Sequence, residues 1–261
     1  NDRGIRLDTV EVLKRLKLPV MRWPGGCFAD NYHWMDGIGP RDKRPTRINM
    51  HWLQGESNEF GTDEFMRFCR MIETEPYLCV NVGSGTVEEA RSWVEYCNAS
   101  QTTTLTKMRA DNGSPDPYGV KFWGIGNENW GCGGFMRPEY YADQYRRYQT
   151  FVKNFGGSRI FKVACGPSGP DYNWTEVLMR EAGGRRPMMH GLAPHYYCGT
   201  GRESRSATEF GEFDWLWNLG GALRIEEILS GHEKIMDKYD PDKRVAIMFD
   251  EWGAWHAVEP G

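Results

Sequence analysis

The sequence predicts an α/β protein, a (β/α)8 TIM barrel of which this chain carries an incomplete part. Three observations lead there. Short apolar runs read as strands, helical periodicity fills the gaps between them, and polar residues suited to chemistry follow almost every strand. Continuous apolar strands alternating with helices imply a parallel sheet covered by helices. An open doubly wound sheet is the competing closure. It would carry a phosphate-binding GxGxxG after its first strand, whereas Gly124-Ile125-Gly126 comes late and runs into Asn127-Glu128.

The elements follow in order. Residues 9–16 carry Val10, Leu13 and Leu16 at helical spacing, and 18–23 read as a strand ended by Pro24-Gly25-Gly26. Residues 62–72 are helical through Phe65, Phe68, Cys69 and Ile72; 77–82 form a strand closed by Gly83-Ser84-Gly85. A helix over 87–97 precedes a strand over 120–125, and Pro138 opens a helix reaching 155. Strands over 160–164, 191–194 and 245–249 and helices over 174–182 and 222–239 complete the set. These are six strand–helix units, whereas a closed barrel needs eight. The chain opens on a helix and stops just after a strand, so one strand is expected beyond each end. No linker, repeat or low-complexity stretch divides it, and 1–261 reads as one partial catalytic barrel domain.

Composition narrows the function. With 32 basic and 36 acidic side chains the net charge of -4 leaves no electrostatic footprint for nucleic acid. No apolar run approaches the roughly 18 residues of a membrane span. Eleven Trp and twelve Tyr could supply flat faces for carbohydrate, although most aromatics are expected in the core. The seven cysteines are odd in number and widely spaced, with no CxxC, so neither a disulfide framework nor a structural zinc site is expected. Cys79 and Cys165 sit in apolar runs and read as buried thiols, which favours a reducing compartment, the cytoplasm, over the periplasm or secretion. Asn1-Asp2-Arg3-Gly4 resembles no signal peptide and no initiator Met is present, so a longer parent chain is expected. A homo-oligomer is the expected assembly.

Two carboxylates stand out. Glu128 and Glu251 each follow an apolar strand, with a polar residue before and an aromatic close behind. On a barrel both project from one face into one pocket. Two carboxyls flanking a bond are what a retaining glycosidase needs, one protonating the leaving oxygen and one attacking the anomeric carbon. The plainer reading has strand-end Glu residues pairing with Arg or capping helices, and the paired context argues against it.

Five strings, Arg22-Trp23-Pro24-Gly25-Gly26, Asp36-Gly37-Ile38-Gly39-Pro40, Glu56-Ser57-Asn58-Glu59-Phe60-Gly61, Gly124-Ile125-Gly126-Asn127-Glu128-Asn129-Trp130-Gly131 and Asp250-Glu251-Trp252, together resemble glycoside hydrolase family 51, the α-L-arabinofuranosidases. The resemblance runs through essentially the whole chain in the right order. It implies a (β/α)8 barrel followed by a β-sandwich, with strands two to seven visible and strand one, strand eight and the sandwich outside this sequence. It further implies Glu128 as acid/base and Glu251 as nucleophile. Asn127 would bind the sugar 2-hydroxyl and Arg22 would fix the nucleophile carboxylate. His195 and Tyr197 match a strand-six His-x-Tyr whose hydroxyl bonds the nucleophile, and Trp52 and Trp255 would line the leaving-group side. Plainer readings are a turn Asn, a core His and ordinary packing of the two indoles. Where many members carry a substrate-binding Asn this chain has Cys27, a weaker hydrogen-bonding group. A nucleophilic Cys27 would be redundant beside two carboxylates. The implied activity is exo-acting release of terminal α-L-arabinofuranosyl residues from arabinan- or arabinoxylan-type poly- and oligosaccharides, without metal or cofactor. A β-xylosidase or endo-β-glucanase on the same machinery, or a non-catalytic carbohydrate-binding barrel, are the alternatives.

Overall fold

The computed structural model describes residues 4–157, 159–199, 201 and 203–259. The polar N-terminal tetrapeptide read above falls mostly outside the described residues. By its contacts the chain divides into two compact units, Asn1–Ala164 and Cys165–Gly261. Both are α/β with parallel strand pairing, as expected.

In the first unit β1 (Val20–Trp23), β4 (Glu75–Val80), β5 (Phe122–Ile125) and the start of β6 (Phe161–Ser168) pair in that order, all parallel. The helices are α1 (Leu7–Leu16), α2 (Thr62–Ile72), α3 (Val87–Asn98), α4 (Thr104–Asp111) and α5 (Pro138–Phe151). Helix α2 buries Phe65, Met66, Cys69 and Ile72, one stripe at helical spacing, and Glu64 accepts the Gly61 N–H at its N-terminus. Gly61 is there because a Cβ would lie 1.8 Å from the Gly37 carbonyl oxygen. Thr86 caps α3 by accepting the Glu89 N–H. Helix α4 has no apolar stripe to announce it. Its buried residues are Thr106 and Arg109, and the Arg109 guanidinium donates to the Tyr96, Ala99, Ser114 and Pro115 carbonyls.

The aromatic abundance goes largely to packing. Trp93 stacks parallel to Trp34 at 6.1 Å and meets Trp23 and Trp123 edge-on. After β1 come three 3-10 turns and a hairpin, β2 (Arg47–Asn49) with β3 (Gln54–Glu56), which the apolar pattern does not signal.

In the second unit β7 (Gly191–Gly199) pairs parallel with both β8 (Ala246–Ile247) and β9 (Glu251–Trp255). The strand expected over 245–249 is therefore only Ala246–Ile247, and a further strand begins at Glu251 itself. Asp171 caps α6 (Tyr172–Ala182), whose Trp174 donates to the Cys165 carbonyl. Two helices, α7 (Glu212–Leu223) and α8 (Ile225–Tyr239), replace the single one expected over 222–239. His232 on α8 is fully buried between Thr175 and the Gly169 carbonyl.

Among the described residues no helix is long and apolar enough to cross a membrane. One cysteine expectation is overturned: Cys27 and Cys132 form a disulfide across 105 residues of sequence. Spacing could not reveal it, because folding brings the loops after β1 and β5 together. Cys69, Cys79, Cys97, Cys165 and Cys198 are buried free thiols, as read for Cys79 and Cys165.

Candidate active site

In the first unit the loops following β1, β4 and β5 converge. Gly126, at φ +80, ends β5 where any side chain would strike Asn129, and its N–H returns to the Val80 carbonyl. Asn127 is 2% exposed; its Oδ1 accepts from Arg22 Nη1 at 2.9 Å. The Asn127 Nδ2 has no hydrogen-bond partner among the described residues, a buried donor available to a ligand hydroxyl.

Glu128 follows with φ 46, a left-handed conformation uncommon for a residue with a side chain. Its carbonyl accepts from Gly131 and Gly133 at 2.8 and 3.1 Å, closing a tight turn. Its Oε2 lies 3.5 Å from Cys132 Sγ and 4.0 Å from Cys27 Sγ. Those sulfurs are joined, so they carry no proton to donate, and with Glu128 they offer a metal one carboxylate rather than three ligands. The disulfide also corrects the view of Cys27 as a thiol: it can serve neither as nucleophile nor as S–H donor.

Asp30, which sequence reasoning missed, sits beneath this loop at 4% exposure. It accepts from the Val82 and Gly83 N–H groups through Oδ1. Its Oδ2 accepts from the Asn127 N–H and Asn129 Nδ2 at 2.7 and 2.9 Å. Burial pushes its carboxyl up to about 6, against the pull of those donors. The only sequence signal was an acid just after a strand-end Gly-Gly turn. Trp52 sits in the β2–β3 turn, half exposed, with its N–H on the Asn49 side chain.

In the second unit the register of β7 and β9 sets His195 opposite Glu251 and Tyr197 opposite Gly253. The Tyr197 hydroxyl donates to Glu251 Oε1 at 3.0 Å, the contact expected of that tyrosine. His195, buried, bonds Asp250 Oδ1 through Nε2 at 3.0 Å and sets Nδ1 3.8 Å from Glu251 Oε2. Asp250 thus orients the imidazole, a role its position before Glu251 hinted at only as a polar neighbour. Trp255, 58% exposed, packs 5.7 Å from the Tyr197 ring. In the second unit a carboxylate is steadied by a hydroxyl, and in the first a carboxyl on a rigid turn lies beside an unfilled amide donor, group types that glycosidic acetal chemistry uses.

Known proteins resemble this chain along its whole length. A family model described as "Alpha-L-arabinofuranosidase 1 domain" matches residues 12–160. An "Intracellular exo-alpha-L-arabinofuranosidase" of Bacteroides ovatus is 51% identical over 264 residues, covering 100% of this chain and 51% of that protein. The crystal structure of a GH51 arabinofuranosidase from Xanthomonas axonopodis pv. citri superposes with a TM-score of 0.95 at 50% identity, covering 100% of this chain and 53% of that one. An arabinose complex of the Thermotoga maritima α-L-arabinofuranosidase gives 0.86 at 39% identity, covering 99% of this chain and 51% of that one. The chain spans about half the length of the relatives it matches.

Proposed function

The chain belongs to the glycoside hydrolase family 51 α-L-arabinofuranosidases, and we propose that it carries the catalytic carboxylates of an exo-acting, retaining arabinofuranosidase. In this reading its strands are the second to seventh of an eight-stranded barrel, and Glu128 and Glu251 act at the carboxyl ends of the strands. The observation that carries the proposal is the Tyr197–Glu251 hydrogen bond on adjacent parallel strands, which orients one carboxylate oxygen for attack.

Glu251 attacks the anomeric carbon of a terminal α-L-arabinofuranosyl residue while Glu128 gives its proton to the departing oxygen. Glu128 then takes a proton from water, which displaces Glu251 from the covalent arabinosyl–enzyme and restores the original configuration. Arg22 holds the Asn127 amide so that Nδ2 donates to the sugar 2-hydroxyl. The resemblance to the family adds a contact from Arg22 to the nucleophile carboxylate. Trp52 and Trp255, both half exposed, offer faces to the leaving-group sugars, and the bonded sulfur of Cys27 offers van der Waals contact.

The substrate class is an arabinofuranosyl-bearing oligo- or polysaccharide. Turnover of para-nitrophenyl α-L-arabinofuranoside by the full-length protein, set against the β-D-xylopyranoside, tests it. Preference for the arabinofuranoside is expected; preference for the xyloside, or none for either, overturns the assignment. We place the protein inside the cell, on its five buried free thiols and its likeness to an intracellular Bacteroides ovatus enzyme, against the single Cys27–Cys132 disulfide that points to an oxidising compartment. Recovery of the activity in the periplasmic or culture fraction would overturn that.

A further inference from the structure

Asp30 is a buried carboxylate held by four neutral N–H groups. Burying a charge without a cation is costly, and folds retain such groups where geometry demands them. The donors come from two loops: Val82 and Gly83 after β4, Asn127 and Asn129 on either side of Glu128 after β5. The walls are close. A Cβ on Gly133 would lie 2.5 Å from Asp30 Oδ2, and one on Gly83 2.9 Å from Asp30 Cβ. So the carboxylate fills a cradle with no slack, and the left-handed turn at Glu128 is built against it.

Resting on the reading of Glu128 as acid/base, we propose that Asp30 is a positioning residue for it. By gripping Asn127 and Asn129 it fixes the backbone that aims the Glu128 carboxyl at the leaving oxygen. All groups facing it are donors, so a proton on Asp30 displaces one of them and loosens the turn locally, even as it removes the cost of a buried charge from the fold as a whole. The ionisable groups around it include Glu128, one residue past Asn127, Arg22, whose guanidinium donates to the Asn127 side chain, and Tyr148 on α5, whose hydroxyl bonds the Gly85 carbonyl. With burial raising Asp30 to about 6, the loosening falls on the acid limb of the activity profile.

The test uses full-length Asp30→Asn and Asp30→Glu proteins, a 2,4-dinitrophenyl arabinofuranoside whose leaving group needs no proton, and an arabino-oligosaccharide that does. We expect Asp30→Asn to lower kcat/KM, which reads the first step, roughly 100-fold on the oligosaccharide and less than about fivefold on the dinitrophenyl substrate. Glu at position 30 restores part of the loss, and the limb near pH 6 disappears from the Asn variant. Hydrogen exchange of the peptide spanning 126–134 should quicken in the variant, a readout independent of turnover. Equal losses on both substrates, or unchanged exchange, would overturn the proposal. Should Asp30→Asn not fold, the same substrate ratio in Asp30→Glu decides. A wild type that hydrolyses neither substrate, with exchange still quickened, would overturn the reading of Glu128 and leave Asp30's grip on the loop standing.

Discussion

The two carboxylates are held in opposite ways. Glu128 is fixed through its backbone: a left-handed φ, two glycine N–H groups on its carbonyl, and Asp30 gripping the residues beside it, while its Oε2 rests against a disulfide. Glu251 is the first residue of a strand in ordinary ladder register, and it is fixed through its carboxylate by Tyr197 with His195 alongside. The difference matches the proposed roles. A nucleophile must present one lone pair along one line, so its oxygens need directing. An acid/base must gain and lose a proton each cycle, so its carrier is held and its oxygens are left for the substrate.

Substitutions should separate the two arrangements. The largest loss belongs to Glu251→Ala, on the order of 10⁵-fold in kcat on every substrate whatever the leaving group, since no covalent intermediate forms. Glu128→Ala should lose roughly 10³-fold on an arabino-oligosaccharide and far less on a dinitrophenyl arabinofuranoside, with azide accelerating its second step. Azide rescue confined to the Glu251 variant would exchange the labels. Tyr197→Phe deletes one hydrogen bond to the nucleophile and should cost roughly tenfold, independent of leaving group. A leaving-group dependence there would blur the comparison.

The smallest effect is a stability slope. Asp30's folded-state pKa, about 6, lies above its unfolded value near 4, so its contribution is fully present below pH 4 and is lost as pH rises through 6. Two units are worth about 3 kcal/mol, so relative to Asp30→Asn the wild type should lose up to about that much between pH 4 and 7 in urea titrations. A flat difference would remove Asp30's burial cost from the account.

Legibility followed the physics of each element. Strands β4 and β5 are continuous apolar runs, and α2 has an unbroken stripe, so both were plain. Helix α4 was hidden because its buried side is Thr106 and Arg109, and hairpin β2–β3 because Arg47, Gln54 and their neighbours are exposed. Glu128 and Glu251 stood out because each follows an apolar run, and the structure sets Glu128 just past β5 but Glu251 at the start of β9. The Cys27–Cys132 bond and Asp30 did not stand out, since each acts on a loop distant in sequence and has no local signature.

The central claim, that Glu251 takes the sugar and Glu128 moves the proton, is tested most directly by mass spectrometry. The full-length Glu128→Ala protein is mixed with 2,4-dinitrophenyl α-L-arabinofuranoside, quenched in acid and digested. We expect one arabinosyl residue on the peptide containing Glu251, removed when azide is added before quenching. A label on any other carboxylate, or an unlabelled enzyme that still releases dinitrophenol at steady state without azide, would contradict the account.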